Sequence, residues 1–228
     1  MKAQRARRLN DHGLTHASLC SLAVTWLKRA NSAGGPNCTV AVSEVAGGWG
    51  GEIPDAIGFT LAHDGTASTV IEAKVSRSDF LADKKKPHRQ AGGMGSWRYF
   101  MAPAGLIKPE ELPEGWGLID VTPGGICRVV AGAMKAARKL GYQELRDQQA
   151  AWRWEDCNRE RETWLLITLL ARVGDVEKAN QDRRELFRMN KSLHEALEQE
   201  RERSKALRRE LALYQREERM KAPPRKMA

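Results

Sequence analysis

The sequence predicts an α/β domain in which helices flank a small central mixed sheet, followed by a C-terminal helical, coiled-coil extension. Three observations lead there. Six short stretches between residues 39 and 130 are rich in β-branched residues or alternate in polarity. Apolar residues near the N-terminus recur at helical spacing. Beyond Gly141 the composition changes: proline is absent until Pro223, and Gly174 is the only glycine.

Residues 1–13 read as a flexible basic arm. Thr15 can cap a helix over residues 16–30, whose Leu19, Leu22, Ala23, Trp26 and Leu27 form one apolar stripe. The run Asn31-Ser-Ala-Gly-Gly-Pro36 then breaks the chain. Strands are expected at 39–45, 55–62 and 68–75, the last two joined through an Asp64-Gly65 turn, a hairpin signal. A helix begins near Ser78. A further strand covers 97–102 and stops at Pro103, and shorter extended pieces follow at 117–121 and 126–130. This α-β-β-β-α-β order places one domain over residues 14–141, with helices covering a small sheet. Residues 142–173 form a helical segment, with a helix expected over 143–172. Residues 174–220 read as a long charged helix whose Leu186, Met189, Leu193, Leu197, Leu207, Leu211 and Tyr214 fall at recurring spacings of three, four and seven, interrupted at Glu200 and Arg203. That seam suggests a coiled coil and a homodimer through residues 176–220. Residues 221–228 are expected to be a disordered tail.

The formal net charge of +9 and a sequence pI near 9.6 favour an acidic partner, DNA foremost. More of the excess lies before Gly141 than after it, so the folded part is the more basic part. Cys20, Cys38, Cys127 and Cys157 make no CxxC pair and read as free thiols in a reducing compartment. No apolar segment follows the basic start, and the apolar stretch at 164–173 is too short to span a bilayer. A cytoplasmic protein without membrane contact is expected.

The chemistry concentrates around Pro54-Asp55 and Glu72-Ala73-Lys74. Residues two apart on a strand project from the same face, so Glu72 and Lys74 leave together while Ile71, Ala73 and Val75 pack behind. A Glu and a Lys are costly to bury in an apolar strand without partners. Asp55 begins the neighbouring strand, so hairpin pairing can bring its carboxylate beside that of Glu72. Two close carboxylates repel unless a cation lies between them, and an all-oxygen set suits Mg²⁺, with Mn²⁺ as a substitute. Asp55 and Glu72 are the expected metal ligands. Lys74 is the expected partner of the attacking water and the phosphate.

Glu44, at the end of the first strand, is the favoured additional acid, with Glu52 its competitor. Arg77, Lys84, Lys85, Lys86 and Arg89 form a basic cluster that would hold phosphates without reading sequence. Asp79 reads as a first-turn helix charge and Asp83 as a surface group. His12, His16 and Cys20 recur every four residues, as a zinc face would. No fourth ligand is evident, and His16 facing the active site from the first helix is the alternative.

Asp55 followed by Glu72-x-Lys74 on the next strand resembles the active-site motif of the PD-(D/E)xK nuclease superfamily. The stretch Glu72-Ala-Lys-Val-Ser-Arg-Ser-Asp-Phe-Leu-Ala-Asp83-Lys84-Lys85, with Arg98-Tyr-Phe-Met-Ala-Pro103 after it, is similar to the MmcB-like DNA-repair group and related phage proteins. The similarity covers residues 14–131 and leaves the C-terminal helices uncovered. It implies a restriction-endonuclease-like core and a metal-dependent endonuclease acting on DNA in repair, recombination or phage DNA processing, with Asp55, Glu72 and Lys74 catalytic. The alternative is a catalytically inactive nuclease fold that binds DNA or protein and is recruited through its C-terminal coiled coil.

Overall fold

A computed structural model of the chain describes residues 13–48, 52–62, 65–83, 86 and 89–221. The expected basic arm and C-terminal tail lie outside this set, apart from Gly13 and Lys221. The described chain divides into two compact units, Met1–Thr168 and Leu169–Ala228.

The first unit is built on a six-stranded sheet: β1 (Val40–Ser43), β2 (Ala56–Ala62), β3 (Gly65–Ala73), β4 (Trp97–Pro103), β5 (Trp116–Val121) and β6 (Cys127–Ala131). The strands lie in sequence order. β1, β2 and β3 are mutually antiparallel, β3–β4 and β4–β5 are parallel, and β6 returns antiparallel to β5. The sheet is therefore mixed, and each expected strand appears within a few residues of its predicted place.

Strand alternation divides the core between the two faces. On one face Ile71, Ala73, Tyr99, Met101, Ile119 and Val121 pack under α1 (His16–Leu27). Leu19, Ala23, Trp26 and Leu27 of that helix are fully buried; burying a large apolar side chain contributes roughly 1.5–3 kcal/mol. Thr15 starts α1 as expected: its hydroxyl accepts from the Ser18 N–H at 3.1 Å, and the Ser18 hydroxyl accepts from the Thr15 N–H at 2.9 Å. On the other face Phe100, Leu118 and Trp116 meet Phe80 of α2 (Arg77–Asp83). Phe100 stacks on Trp116 at 4.5 Å and meets the edge of Phe80 at 5.1 Å. Glu72 shares this second face.

The single helix expected over 143–172 is instead two, α3 (Tyr142–Ala151) and α4 (Arg159–Arg172). Tertiary bonds interrupt it. The Trp154 and Asn158 amides donate to the Ser96 and Gly93 carbonyls at 2.8 and 3.0 Å. The Trp154 indole donates to the Gly115 carbonyl at 2.9 Å and lies 3.9 Å from the Arg98 guanidinium. Glu162 and Leu165 of α4 are buried. The folded unit thus runs past the expected boundary at residue 141, because these side chains complete the core around the sheet.

The second unit is dominated by α5 (Val176–Lys221). Its Leu186, Met189, Leu193, Leu197, Leu207 and Leu211 are all exposed. None of the described helices is long and apolar enough to cross a membrane.

Candidate functional site

Asp55 stands directly before β2, Glu72 lies in β3, and Lys74 follows the end of β3. The pairing of Ala56 with Ile71 brings Asp55 level with Glu72 across the hairpin. The Asp55 carboxylate is held from two sides. Oδ2 accepts the Ala73 N–H at 2.7 Å, and Oδ1 faces His16 Nε2 at 3.1 Å. His16 opens α1, so packing of α1 on the sheet delivers its ring to Asp55. The hydrogen bond to Asp55, helped by Cys20 one turn on, raises the imidazole to about 10. The Cys20 sulfur lies 3.6 Å from His16 Nδ1 and 3.9 Å from Nε2.

Glu72 is 3% exposed. Its Oε2 takes a 2.6 Å ion pair from Arg89 and lies 3.6 Å from Lys74 Nζ. Its Oε1 is buried with no hydrogen-bond partner among the described residues. Burial pushes the carboxyl up to about 7, against the opposing charge of Arg89 and with the nearby charge of Asp55 adding to the rise. The Lys74 ammonium is fixed between Glu72 and Asp83, 3.4 Å from the latter. The Lys74 amide also donates to the Met101 carbonyl at 2.8 Å, anchoring the end of β3 to β4.

Behind these groups sits Arg89, 2% exposed. Its guanidinium pairs with Glu52 at 2.9 Å, Glu72 at 2.6 Å and Asp83 at 2.9 Å. Trp116 supports it, with the ring 5.4 Å from the guanidinium and the indole N–H donating to the Arg89 carbonyl at 2.8 Å. Burial alone would raise Asp83, yet the hydrogen bond and charge of Arg89, with Lys86 and Lys74 beside it, hold that carboxyl down at about 2. A cavity of about 430 Å³ opens over the cluster, and Asp55, Glu72, Lys74, His16, Glu52 and Arg89 line it together with Asp79 and Lys86.

The structure therefore brings Asp55, Glu72 and Lys74 into one cavity, and it changes the surrounding assignments. Glu44 does not line the cavity. It is exposed, at the left-handed turn after β1 with φ 53°, and only its amide reaches toward the site, donating to the Asp55 carbonyl at 3.3 Å. Glu52 lines the cavity instead: the Gly47 amide donates to its carbonyl at 3.0 Å, and its Oε2 accepts the Met94 N–H at 3.0 Å. Arg89, expected as a DNA contact, is instead buried among three carboxylates. Arg77, also expected to bind DNA, is exposed but gives both guanidinium nitrogens to Glu111 at 2.6 Å, and it caps the Leu106 carbonyl at 3.1 Å. Lys86 remains half-exposed and pairs with Asp83 at 2.5 Å. Lys84 and Lys85 lie outside the described residues. Asp83, expected at the surface, is 2% exposed. The local signal for this inversion was weak: a salt-bridging pair six residues apart, separated by Pro87, matches no helical spacing.

Chemically, Asp55 and Glu72 put two carboxylates, both hard oxygen donors, in the lining of one polar cavity. Such donors fit a divalent cation of the magnesium class.

No protein-family model matches the chain, and no curated protein does. Among solved structures, SPO1766, a protein of unknown function from Silicibacter pomeroyi, is similar at 23% sequence identity and a TM-score of 0.37, over 58% of this chain and 84% of that one.

Proposed function

We propose that this chain is a metal-dependent nuclease that hydrolyses DNA phosphodiester bonds, with a restriction-endonuclease-like core and with Asp55, Glu72 and Lys74 as its catalytic residues. The observation that carries the reading is the buried Glu72 Oε1, which has no hydrogen-bond partner among the described residues and belongs to a carboxylate lining the same cavity as Asp55 and Lys74. A buried polar atom without a partner costs about 1–3 kcal/mol or more, and a cation held with Asp55 would remove that cost. Asp55 and Glu72 would hold Mg²⁺ or Mn²⁺. When bound, such an ion makes a coordinated water more acidic and offsets charge developing on the phosphate.

The remaining work falls to the chain itself. Ala73 N–H fixes one oxygen of Asp55, so the carboxylate keeps its aim. Glu72 and Asp83 hold the Lys74 ammonium at the cavity wall, where it can orient a water or contact a phosphate oxygen. Arg89 offsets the charge of Glu52, Glu72 and Asp83 from behind, keeping three buried carboxylates close together. Lys86, which lines the cavity with an exposed side chain, is the described residue of the basic cluster best placed to meet a phosphate.

A second reading has its own support. His16 already pairs with Asp55, and Arg89 with Glu72, so both carboxylates are neutralised by the chain's own cations. That arrangement suits an inactive nuclease fold that binds DNA or protein.

The two readings separate in one assay. Supercoiled plasmid, single-stranded DNA and branched DNA are incubated with the full chain in Mg²⁺, Mn²⁺ or EDTA. Metal-dependent cutting that disappears in Asp55→Ala and Lys74→Ala supports the nuclease. Salt-sensitive binding without cutting in any metal sinks it and favours the binding module.

A further inference from the structure

We propose that His16, Cys20 and Asp55 form a second kind of metal site, one that takes a single zinc-class transition-metal ion at the wall of the cavity. One ligand atom from each residue lies within 4.8 Å of the other two. His16 Nε2 is 3.1 Å from Asp55 Oδ1 and 3.9 Å from Cys20 Sγ. With metal–ligand bonds of about 2.0 Å to nitrogen and oxygen and about 2.3 Å to sulfur, those separations close angles of about 100° and about 130° at a shared ion. The two angles lie on either side of the tetrahedral value.

The scaffold is preorganised. His16 and Cys20 project from successive turns of one capped helix, at the i and i+4 positions that share a face. Asp55 is oriented by the Ala73 N–H on its other oxygen, the outer-shell support that ligating carboxylates have. His16 and Asp55 already aim at one point, where they share a proton; an ion would take the place of that proton. Three protein ligands leave one position open, as in an exchangeable rather than a closed zinc site.

The donor set also separates this site from the oxygen pair of Asp55 and Glu72. A thiolate and an imidazole select zinc and cobalt over magnesium, whereas two carboxylates do the reverse. Asp55 belongs to both sets. A zinc ion would therefore withdraw Asp55 from the hydrolytic ion and inhibit cleavage; this consequence rests on the nuclease reading, and the site itself does not.

The test uses the full chain, stripped with chelator and desalted, with Co²⁺ as the spectroscopic probe. One equivalent is expected to give thiolate-to-cobalt charge-transfer absorption that one equivalent of Zn²⁺ bleaches. Cys20→Ser loses that absorption, Cys157→Ser keeps it, and His16→Ala, on a half-exposed side chain, weakens cobalt binding roughly tenfold or more. Melting curves in chelator check that each variant is folded, and His16→Ala decides the matter if Cys20→Ser is not. The proposal is overturned if the wild-type chain shows no charge-transfer band with excess Co²⁺, if the band survives in Cys20→Ser, or if His16→Ala binds cobalt unchanged. Cobalt–thiolate absorption without DNA cleavage removes the nuclease reading alone. Cleavage without the absorption removes the zinc site alone.

Discussion

Replacing Arg89 by Met keeps most of the side-chain volume and removes the charge that three buried carboxylates share. Glu52, Glu72 and Asp83 are 8%, 3% and 2% exposed, and each lies within 3 Å of the guanidinium. Breaking one buried ion pair costs about 3–5 kcal/mol. Three such losses do not add, because the carboxylates can take up protons instead. Glu72 stands at about 7 even with Arg89 in place, so without it the carboxyl titrates higher still. Each unit of rise is about 1.4 kcal/mol. The expected net loss is therefore about 3–5 kcal/mol at pH 7.5.

The sign with pH follows from linkage. In the variant the folded Glu72 carboxyl, already raised by burial, stands still further above its unfolded value. The folded state then binds more protons than the unfolded state between those values, and stability falls as pH rises through that window. The deficit must be larger at pH 7.5 than at pH 5.5. Urea unfolding followed by fluorescence of the buried Trp26 and Trp116 reads it, as a midpoint lowered by about 2 M for a slope near 2 kcal/mol per molar. An unchanged midpoint at pH 7.5, or a deficit that grows toward pH 5.5, would refute the reasoning.

Three further outcomes are expected. Glu162→Ala should lower stability by about 2–4 kcal/mol in the same urea assay, since its carboxylate accepts from the Ser68 hydroxyl at 2.5 Å and the Gly95 amide at 2.9 Å, both buried; a loss below about 0.5 kcal/mol contradicts that role. Mg²⁺ at about 100 times its dissociation constant should stabilise the wild-type chain by about 2.7 kcal/mol and leave Glu72→Gln nearly unaffected; equal thermal shifts in both chains would place any bound Mg²⁺ elsewhere. The exposed apolar positions of α5 motivate a homodimer, so light scattering should give a dimer mass for the full chain and a monomer mass for a chain ended after Gly174; one monomeric mass for both rejects it.

What the sequence determined by itself is local. The six strands were legible because two-residue alternation and β-branching act within a few residues, and the cap at Thr15 because it engages only Ser18. The same period placed Glu72 and Lys74 on one face, and the hairpin brought Asp55 level with them.

Tertiary contacts decided the rest. Glu52 rather than Glu44 lines the cavity because its carboxylate meets the Met94 amide, a contact 42 residues distant in the chain, and Arg89. Arg89 and Asp83 read as surface charges because nothing local says that Glu52, Glu72 and Trp116 enclose them. The helix expected over 143–172 breaks where Trp154 and Asn158 find carbonyls near residue 95. Buried charge is paid for only by partners brought from elsewhere in the chain. Hence the residues whose role reversed on folding are the ones whose partners lie far away in sequence.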